Sequence, residues 1–293
     1  MILAFGSINI DIVIAVPMLP KPGETVLGES YRLLPGGKGA NQALAAARDG
    51  ARVMLAGAVG DDAFAGEALA LLREGGVDLS LVRTETRPTG CAVISVAEGS
   101  GENLITVASG ANGGVTADLV PDALLGPDVT LLLQMELPTA ETEQLIARAK
   151  ARGARIVLNL APARPIAQEA LRSVDVLVVN EGELAALAAD EAALARGLGV
   201  TVVATRGAQG AVAVLPDGTR RAAPALPITP VDTTGAGDTF TGVLAAGLDA
   251  GLVLEAAMPR ASAAAGLACL APGAQPGMPD RARIDAAMRD LPG

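Results

Sequence analysis

The chain has 293 residues, a formal net charge of −10, 51% hydrophobic residues and only 1% aromatic ones. The charge excludes a nucleic-acid partner, since phosphate-backbone binding rests on clustered Lys and Arg. With no histidine anywhere, His-based triads and His-liganded zinc are excluded as well.

In chain order, the start MILAFGSINIDIVIAVP is apolar but lacks a basic n-region and carries Asp11 in mid-run, so it reads as two β segments rather than a signal peptide. Short β-rich runs then alternate with helical stretches. Strands are predicted at Ile2 to Phe5, Val53 to Ala58, Val129 to Gln134, Arg155 to Asn159, Val176 to Val179, Val200 to Thr205 and Ala211 to Leu215. Helices are predicted at Gly39 to Arg48, Ala63 to Glu74, Ala140 to Arg152, Ala236 to Ala250, Leu254 to Leu270 and Arg281 to Arg289. Asp62 and Thr139 fit N-caps, and Gly75-Gly76 and Gly153 fit helix stops. The alternation predicts an α/β fold with a mostly parallel sheet covered by helices on both faces. Two segments break it: Ile12 to Val16 with Thr25 to Leu34, and Gly90 to Val107, read as antiparallel strands without covering helices. No apolar run reaches the ~18 residues of a membrane span; the best candidate, Phe240 to Met258, is interrupted by Asp249 and Glu255. Cys91 and Cys269 lie far apart and form no CxxC, which fits a reduced cytoplasmic protein.

Two glycine clusters carry the chemistry. In Asp232 to Phe240, DTTGAGDTF, the turn Gly235-Ala236-Gly237 directly precedes Asp238 and opens a helix. Unpaired N–H groups and the helix dipole favour negative charge there, and a carboxylate beside them can take a proton from an attacking hydroxyl. An anion cradle plus a base is the minimum for moving a phosphoryl group onto an alcohol. On these residues alone, a glycine-rich strand-to-helix turn with an Asp at the helix start fits equally well. The second cluster is GGKGAN, Gly36 to Asn41. It is no Walker A loop: Gly37-Lys38 is followed by Gly39, and Arg32 stands where the first glycine would be. Phe240, in the third glycine position, removes the dinucleotide fingerprint from the other cluster and with it a dehydrogenase reading. Lysine occurs only at positions 21, 38 and 150, so keeping one inside GGKGAN points to work for that ammonium; a solvated helix-start lysine is the alternative.

The two clusters resemble the two signatures of the PfkB family of carbohydrate kinases, and the resemblance runs from Gly6-Ser7-Ile8-Asn9-Ile10-Asp11 to Gly273-Ala274-Gln275-Pro276. Between them fall, in the family's order, Pro22-Gly23-Glu24-Thr25, Gly60-Asp61-Asp62, Ser109-Gly110-Ala111-Asn112, Gln134-Met135-Glu136, Asn159-Leu160-Ala161-Pro162-Ala163 and Asn180-Glu181-Gly182-Glu183. The resemblance implies one domain over 1–293 with the three-layer ribokinase-like fold. Segments 12–34 and 90–107 would form an inserted β lid that closes over a sugar and pairs two subunits into a homodimer. It implies transfer of the γ-phosphoryl of MgATP to the 5-hydroxyl of D-ribose. Deoxyribose, fructose, ketodeoxygluconate or a nucleoside remain open as acceptors. So does a non-catalytic sugar or nucleotide sensor, against which the intact Asp238, glycine cradle and Glu183 argue. A nucleoside would call for aromatic stacking, and the chain offers only Phe5, Phe64, Phe240 and Tyr31.

The same resemblance assigns roles residue by residue. Asp238 is the general base, with the N–H groups of Gly235, Ala236 and Gly237 as anion hole. Asn9, Asp11, Gly37, Lys38, Asn41 and Glu136 match the sugar contacts, which suits a ligand that is nearly all hydroxyl. Asn180 and Glu183 match an NxxE motif for magnesium and phosphates, Glu183 acting through water; a first-turn Glu favoured by the helix dipole is the structural alternative. Thr205, Gly207 and Gly210 belong to a nucleotide-flanking loop, Gly237 also faces the nucleotide, and Ser262 falls near the adenine. The Asp232 carboxylate and the carbonyls of Thr234, Ala268, Ala271 and Gly273 match a potassium loop. Gly277 departs from it by replacing a hydroxyl residue of the shell, and Pro272 stiffens the loop.

Overall fold

The computed structural model of the chain describes residues 1–99 and 101–289. Ser100, within the expected lid, and 290–293, at the end of the expected domain, lie outside the described residues. Thirteen strands and ten α-helices follow one another along them, with four short 3-10 turns between. The first half contains β1 (Ile2–Phe5), β2 (Asn9–Val16), β3 (Tyr31–Gly36), α1 (Lys38–Arg48), β4 (Val53–Gly60), α2 (Ala63–Glu74), β5 (Asp78–Glu85), β6 (Gly90–Ala97), β7 (Asn103–Ala108), β8 (Thr130–Leu133) and α3 (Thr139–Ala151). The second half contains β9 (Arg155–Asn159), α4 (Gln168–Ser173), β10 (Val176–Asn180), α5 (Glu181–Ala185), α6 (Glu191–Leu198), β11 (Thr201–Thr205), β12 (Ala211–Val214) and β13 (Arg220–Ala223). It closes with α7 (Ala236–Asp249), α8 (Leu254–Ala268), α9 (Ala274–Gly277) and α10 (Arg281–Ala287).

Nine strands form one sheet in the order β13-β12-β11-β10-β9-β8-β1-β4-β5. Pairing is parallel from β11 to β5 and antiparallel at β11–β12 and β12–β13. The expected three-layer, mostly parallel architecture is therefore present. Side chains alternate across a strand. Ile2 and Ala4 of β1 join a core with α1, α7 and α8, while Leu3 and Phe5 join the opposite core with α3, α4 and α6. Strands buried on both faces read as continuous apolar runs, which is why they were visible in the sequence. No described helix is long and apolar enough to cross a membrane.

Several expectations need correction. β5 and β13 join the main sheet although the sequence reading left them out. β5 is an edge strand of mixed exposure, so its apolar signal is weak. The helix at 139 is not capped by the Thr139 side chain: Thr139 is its first residue and Pro138 precedes it. Asp62 does cap α2, accepting from Phe64 and Ala65 N–H.

The expected lid segments form a separate four-stranded sheet, β3-β2-β6-β7. It departs from expectation in two ways. Residues 25–30 are not strand, so β3 begins at Tyr31. The two hairpins join through β2 and β6 in parallel, not antiparallel, register. Strand pattern alone cannot reveal that, since both pairings alternate side chains with period two.

Candidate active site

Strand order turns at β1: the chain leaves it toward β4 on one side and β8 on the other. Crevices outside the carboxyl ends of strands at such a point are where ligands bind in open α/β sheets. The polar residues Ser7, Gln134, Glu136 and Asn159 follow or end β1, β8 and β9 there, and α1 and α7 bring their N-termini to the same place. These two helices pack without a gap: a Cβ on Gly242 of α7 would lie 2.4 Å from the Gln42 carbonyl of α1. Only glycine permits that approach.

Asp238, 7% exposed, stands in the first turn of α7. Asn41 Nδ2 donates to one of its oxygens at 2.9 Å and Gln42 Nε2 to the other at 2.9 Å. The helix is entered through Gly235 at φ 75°, with Ala274 2.6 Å from where a Cβ would be. Of the three N–H groups expected in the cradle, the Gly235 and Gly237 groups have no hydrogen-bond partner among the described residues. The Ala236 N–H is turned away: it donates to the Thr233 carbonyl at 3.2 Å, closing the turn that leads into the helix. The cradle thus offers Gly235 and Gly237, and Ala236 contributes the bend.

The residues expected to contact a sugar gather at one edge, with their hydrogen-bonding capacity partly committed. Asn9 accepts from Asn112 Nδ2 at 2.7 Å, and Asn112 also clamps the Ile8 backbone through both ends of its amide. Glu136 accepts from the Ser7 hydroxyl at 2.5 Å and from the Lys38 N–H at 3.0 Å, so one of its oxygens serves the start of α1. Asn41 accepts from Gln275 while donating to Asp238. Gly37 lies before the helix at φ 89°. Asp11 is pushed up to about 7 by burial, reinforced by Glu136 and Asp238 and opposed by Lys38. The Lys38 ammonium is held above the usual lysine range chiefly by Asp238, with burial acting the other way. Asp11 lines a cleft of about 520 Å³ between the four-stranded sheet and the loop bearing Asp232, Thr234 and Gly273.

On the other side of the α7 N-terminus, Thr205, Gly207, Gly210, Gly237 and Ser262 line a mostly apolar cavity of about 400 Å³ with Phe240 and Leu226. The Ser262 hydroxyl is buried there without a partner. Asn180 and Glu183 are not part of that lining. They form a reciprocal capping box on α5, each side chain accepting from the other's N–H at 2.8 Å. Burial raises the Glu183 carboxyl, partly offset by the Asn180 N–H and Lys38. N-x-x-E is itself a capping signature, so the structural alternative was legible.

The loop expected to hold a monovalent cation converges as well. Asp232 accepts from Thr234 N–H at 2.9 Å and from Gly273 N–H at 2.8 Å. The carbonyl oxygens of Ala268 and Ala271 lie 2.6 and 3.4 Å from the point where Gly277 would place a Cβ. Gly277 is therefore packed against the Ala268 carbonyl, an approach that only a residue without a side chain allows.

Sequence reasoning gives no role to five buried amides: Gln42 is not singled out, and Asn112, Gln134, Asn159 and Gln275 stand only as members of the family blocks. Yet Gln42, Asn112 and Gln275 bond expected site residues, and Gln134 and Asn159 bond Gln42. The available signal was an amide at the end of an apolar strand or inside the alanine-rich start of α1.

The pfkB family carbohydrate kinase profile matches residues 1–281. The chain belongs to that family. It is 38% identical to the ribokinase of Bacillus subtilis over 290 residues, covering 97% of this chain and 98% of the relative. With the Haemophilus influenzae ribokinase it is 37% identical, covering 94% of each. Among solved structures, ribokinase from Thermotoga maritima superposes with a TM-score of 0.90 at 32% identity, covering 98% of this chain and 99% of that one. The ribokinase of Arabidopsis thaliana complexed with ribose and ATP gives 0.87 at 32% identity over 98% of both chains.

Proposed function

We propose that the chain is a ribokinase that transfers the γ-phosphoryl of ATP to the 5-hydroxyl of D-ribose. The observation that carries this reading is the N-terminus of α7: a carboxylate held by two amide donors, beside a cradle with two free N–H groups, between a cleft lined by Asp11 and a mostly apolar cavity. Asp238 takes the proton of the 5-hydroxyl as its oxygen forms a bond to the γ-phosphorus. The bond from that phosphorus to the bridging oxygen breaks, and ADP leaves with the electron pair. Gly235 and Gly237 N–H groups hold the charge that grows on the phosphoryl oxygens. Asn9, Asp11, Gly37, Lys38, Asn41 and Glu136 orient the sugar, each with the hydrogen-bonding capacity left over from its protein contacts. The cavity at Thr205, Gly207, Gly210 and Ser262 takes the nucleoside part of ATP, and the unpartnered Ser262 hydroxyl supplies a polar contact.

Two ions fit the residues present. Magnesium would be held near Glu183 and Asn180, Glu183 keeping one carboxylate oxygen outside the capping box, and would neutralise phosphate charge when bound. Potassium would be held by Asp232, Thr234, Ala268, Ala271 and Gly273 and would fix the loop that packs against Gly235 through Ala274. The four-stranded sheet exposes Tyr31, Leu33, Val93 and Leu104 at 36–65% on the face turned from the cleft. We read that face as the homodimer contact of the lid. Both cysteines are free, in keeping with the cytoplasm.

The test is ADP release from MgATP with ribose, deoxyribose, fructose, ketodeoxygluconate and nucleosides, each with and without potassium. Ribose turnover that rises with potassium is expected. A different preferred sugar moves the substrate assignment, and no turnover by folded protein overturns the kinase reading.

A further inference from the structure

Behind Asp238 lies a set of buried amides, of which only Asn41 has a role above. Gln134 Nε2 donates to Gln42 Oε1 at 2.9 Å, and Gln42 Nε2 donates onward to Asp238 and, at 3.0 Å, to Asn159 Oδ1. On the other side Gln275 Nε2 donates to Asn41 Oδ1 at 3.1 Å, and Asn41 Nδ2 donates onward to Asp238. Gln42 and Gln275 are fully buried and Gln134 is 1% exposed.

The direction of both chains is dictated by the carboxylate. An ionised carboxylate only accepts, so Gln42 and Asn41 must turn their nitrogens toward it. Their oxygens then face Gln134 and Gln275, which must present nitrogens in turn. Gln42, Asn41, Gln134 and Gln275 therefore all point their amide nitrogens along the chain toward Asp238, while Asn159 accepts the second Gln42 N–H and turns its own nitrogen away to the Val178 carbonyl. The cost appears at the far ends, where Gln134 Oε1 and Gln275 Oε1 are buried with no hydrogen-bond partner. Buried acceptors are rarely left unpaired, and here pairing is sacrificed at the two places farthest from the base.

We propose that Gln42, Gln134 and Gln275 are positioning residues for the base: two converging amide relays fix both oxygens of Asp238 in place inside a buried, acidic site. This rests on the kinase reading above. The need is set by the surroundings, since Asp11 from β2, Glu136 after β8 and Glu183 from α5 bring negative charge to the same site and Lys38 of α1 is the ammonium that answers them. Donors that bond the charged form favour it, and linked amides polarise one another in a low dielectric.

The test uses the full chain with Gln42→Met, which keeps length and apolar volume but removes the donor. Folding is checked by circular dichroism and thermal melting, and kcat, KM for ribose and the pH profile of kcat are compared with wild type. The expected result is a kcat lowered about tenfold to a hundredfold, the scale of one charge-assisted hydrogen bond. KM for ribose changes by less than about threefold, and the acid limb of the profile moves up by about one pH unit. A folded Gln42→Met protein with wild-type kcat and an unmoved acid limb overturns the proposal. Should that variant not fold, the same measurement on Gln275→Met decides, since both donors to Asp238 remain and only the outer link is cut. An acid limb displaced upward supports the relay, and an unmoved one overturns it. Asp238→Asn separates this failure from failure of the kinase reading: an inactive Asp238→Asn beside an unaffected Gln42→Met sinks the relay alone, and an active Asp238→Asn sinks both.

Discussion

The nine-stranded core and the four-stranded sheet handle polar groups in opposite ways. In the core, Asp238 is buried, and each of its oxygens receives an amide donor that is itself held by another amide. At the base of the smaller sheet, Asp11 sits at the mouth of a cleft and is pushed up to about 7 by burial and by like charge. The apolar groups differ in the same sense. Strands β1 and β8 are buried throughout, whereas Val93, Leu104, Ile105 and Val107 of the small sheet are 40–56% exposed. The surroundings of Asp238 are thus fixed by the chain itself. The small sheet keeps exposed apolar side chains and, in Asp11, a carboxyl that burial and like charge push up. Strain and unpaired groups tend to collect where a protein binds something.

The comparison breaks most visibly at the base. Asp238→Asn should lower kcat by at least ~10²-fold, the low end for a positioned base, while the folded state survives in circular dichroism. Wild-type turnover in that folded variant would remove Asp238 from the chemistry.

Gly235→Ala comes next in size. A left-handed residue with a Cβ costs about 1–2 kcal/mol, and Ala274 stands 2.6 Å from that Cβ. Turnover should fall about tenfold and Tm by about 2–6 °C, because the cradle must shift. Unchanged kinetics and melting would show that the cradle tolerates displacement.

At the small sheet the effects should move from kcat to KM and pH. Folded Asp11 holds its proton to about 7, whereas an ordinary Asp releases it near 3.8. The folded state therefore binds more protons between those values, and stability falls as pH rises through that window. Asp11→Asn should abolish that slope, melting above wild type at pH 8, and raise KM for ribose about tenfold with kcat within about threefold. Parallel melting curves from pH 4 to 8 for both proteins would place the site's titration elsewhere.

The smallest effect on turnover belongs to Leu104→Glu. Placing a charge on the outer face of the small sheet should yield monomers in light scattering, with kcat changed less than threefold, about the scale of losing ~0.6 kcal/mol. Dimers that persist in the variant would move the contact off this face.

Fold and site were legible to different depths. β1, β9 and α2 carry the same bounds in sequence and structure because their patterns are unambiguous: four buried apolar residues, a buried run between turns, and an Asp cap followed by an apolar helix face. β5 was missed because an exposed edge strand need not be apolar. The parallel β2–β6 junction was missed because register is a property of two segments, not of either one. In the site, GGKGAN and DTTGAGDTF named Asp238 and the cradle, but the Ala236 N–H proved to be spent on Thr233. The NxxE pair proved to be a capping box whatever else it does.

By itself the sequence determined the alternation of buried strands and helices, the glycine entry to α7 and the carboxylate that follows it. These are local: period, turn chemistry and residue type suffice for them. Tertiary structure alone decided which partners Asp238 has. Gln42, Gln134 and Gln275 are separated by up to 233 positions in the chain, and an amide in an apolar run looks alike whether it faces a carboxylate or a carbonyl. Their direction follows only once the sheet turns at β1 and α1 and α7 close on each other, because a buried carboxylate accepting at both oxygens leaves Gln42 and Asn41 a single orientation.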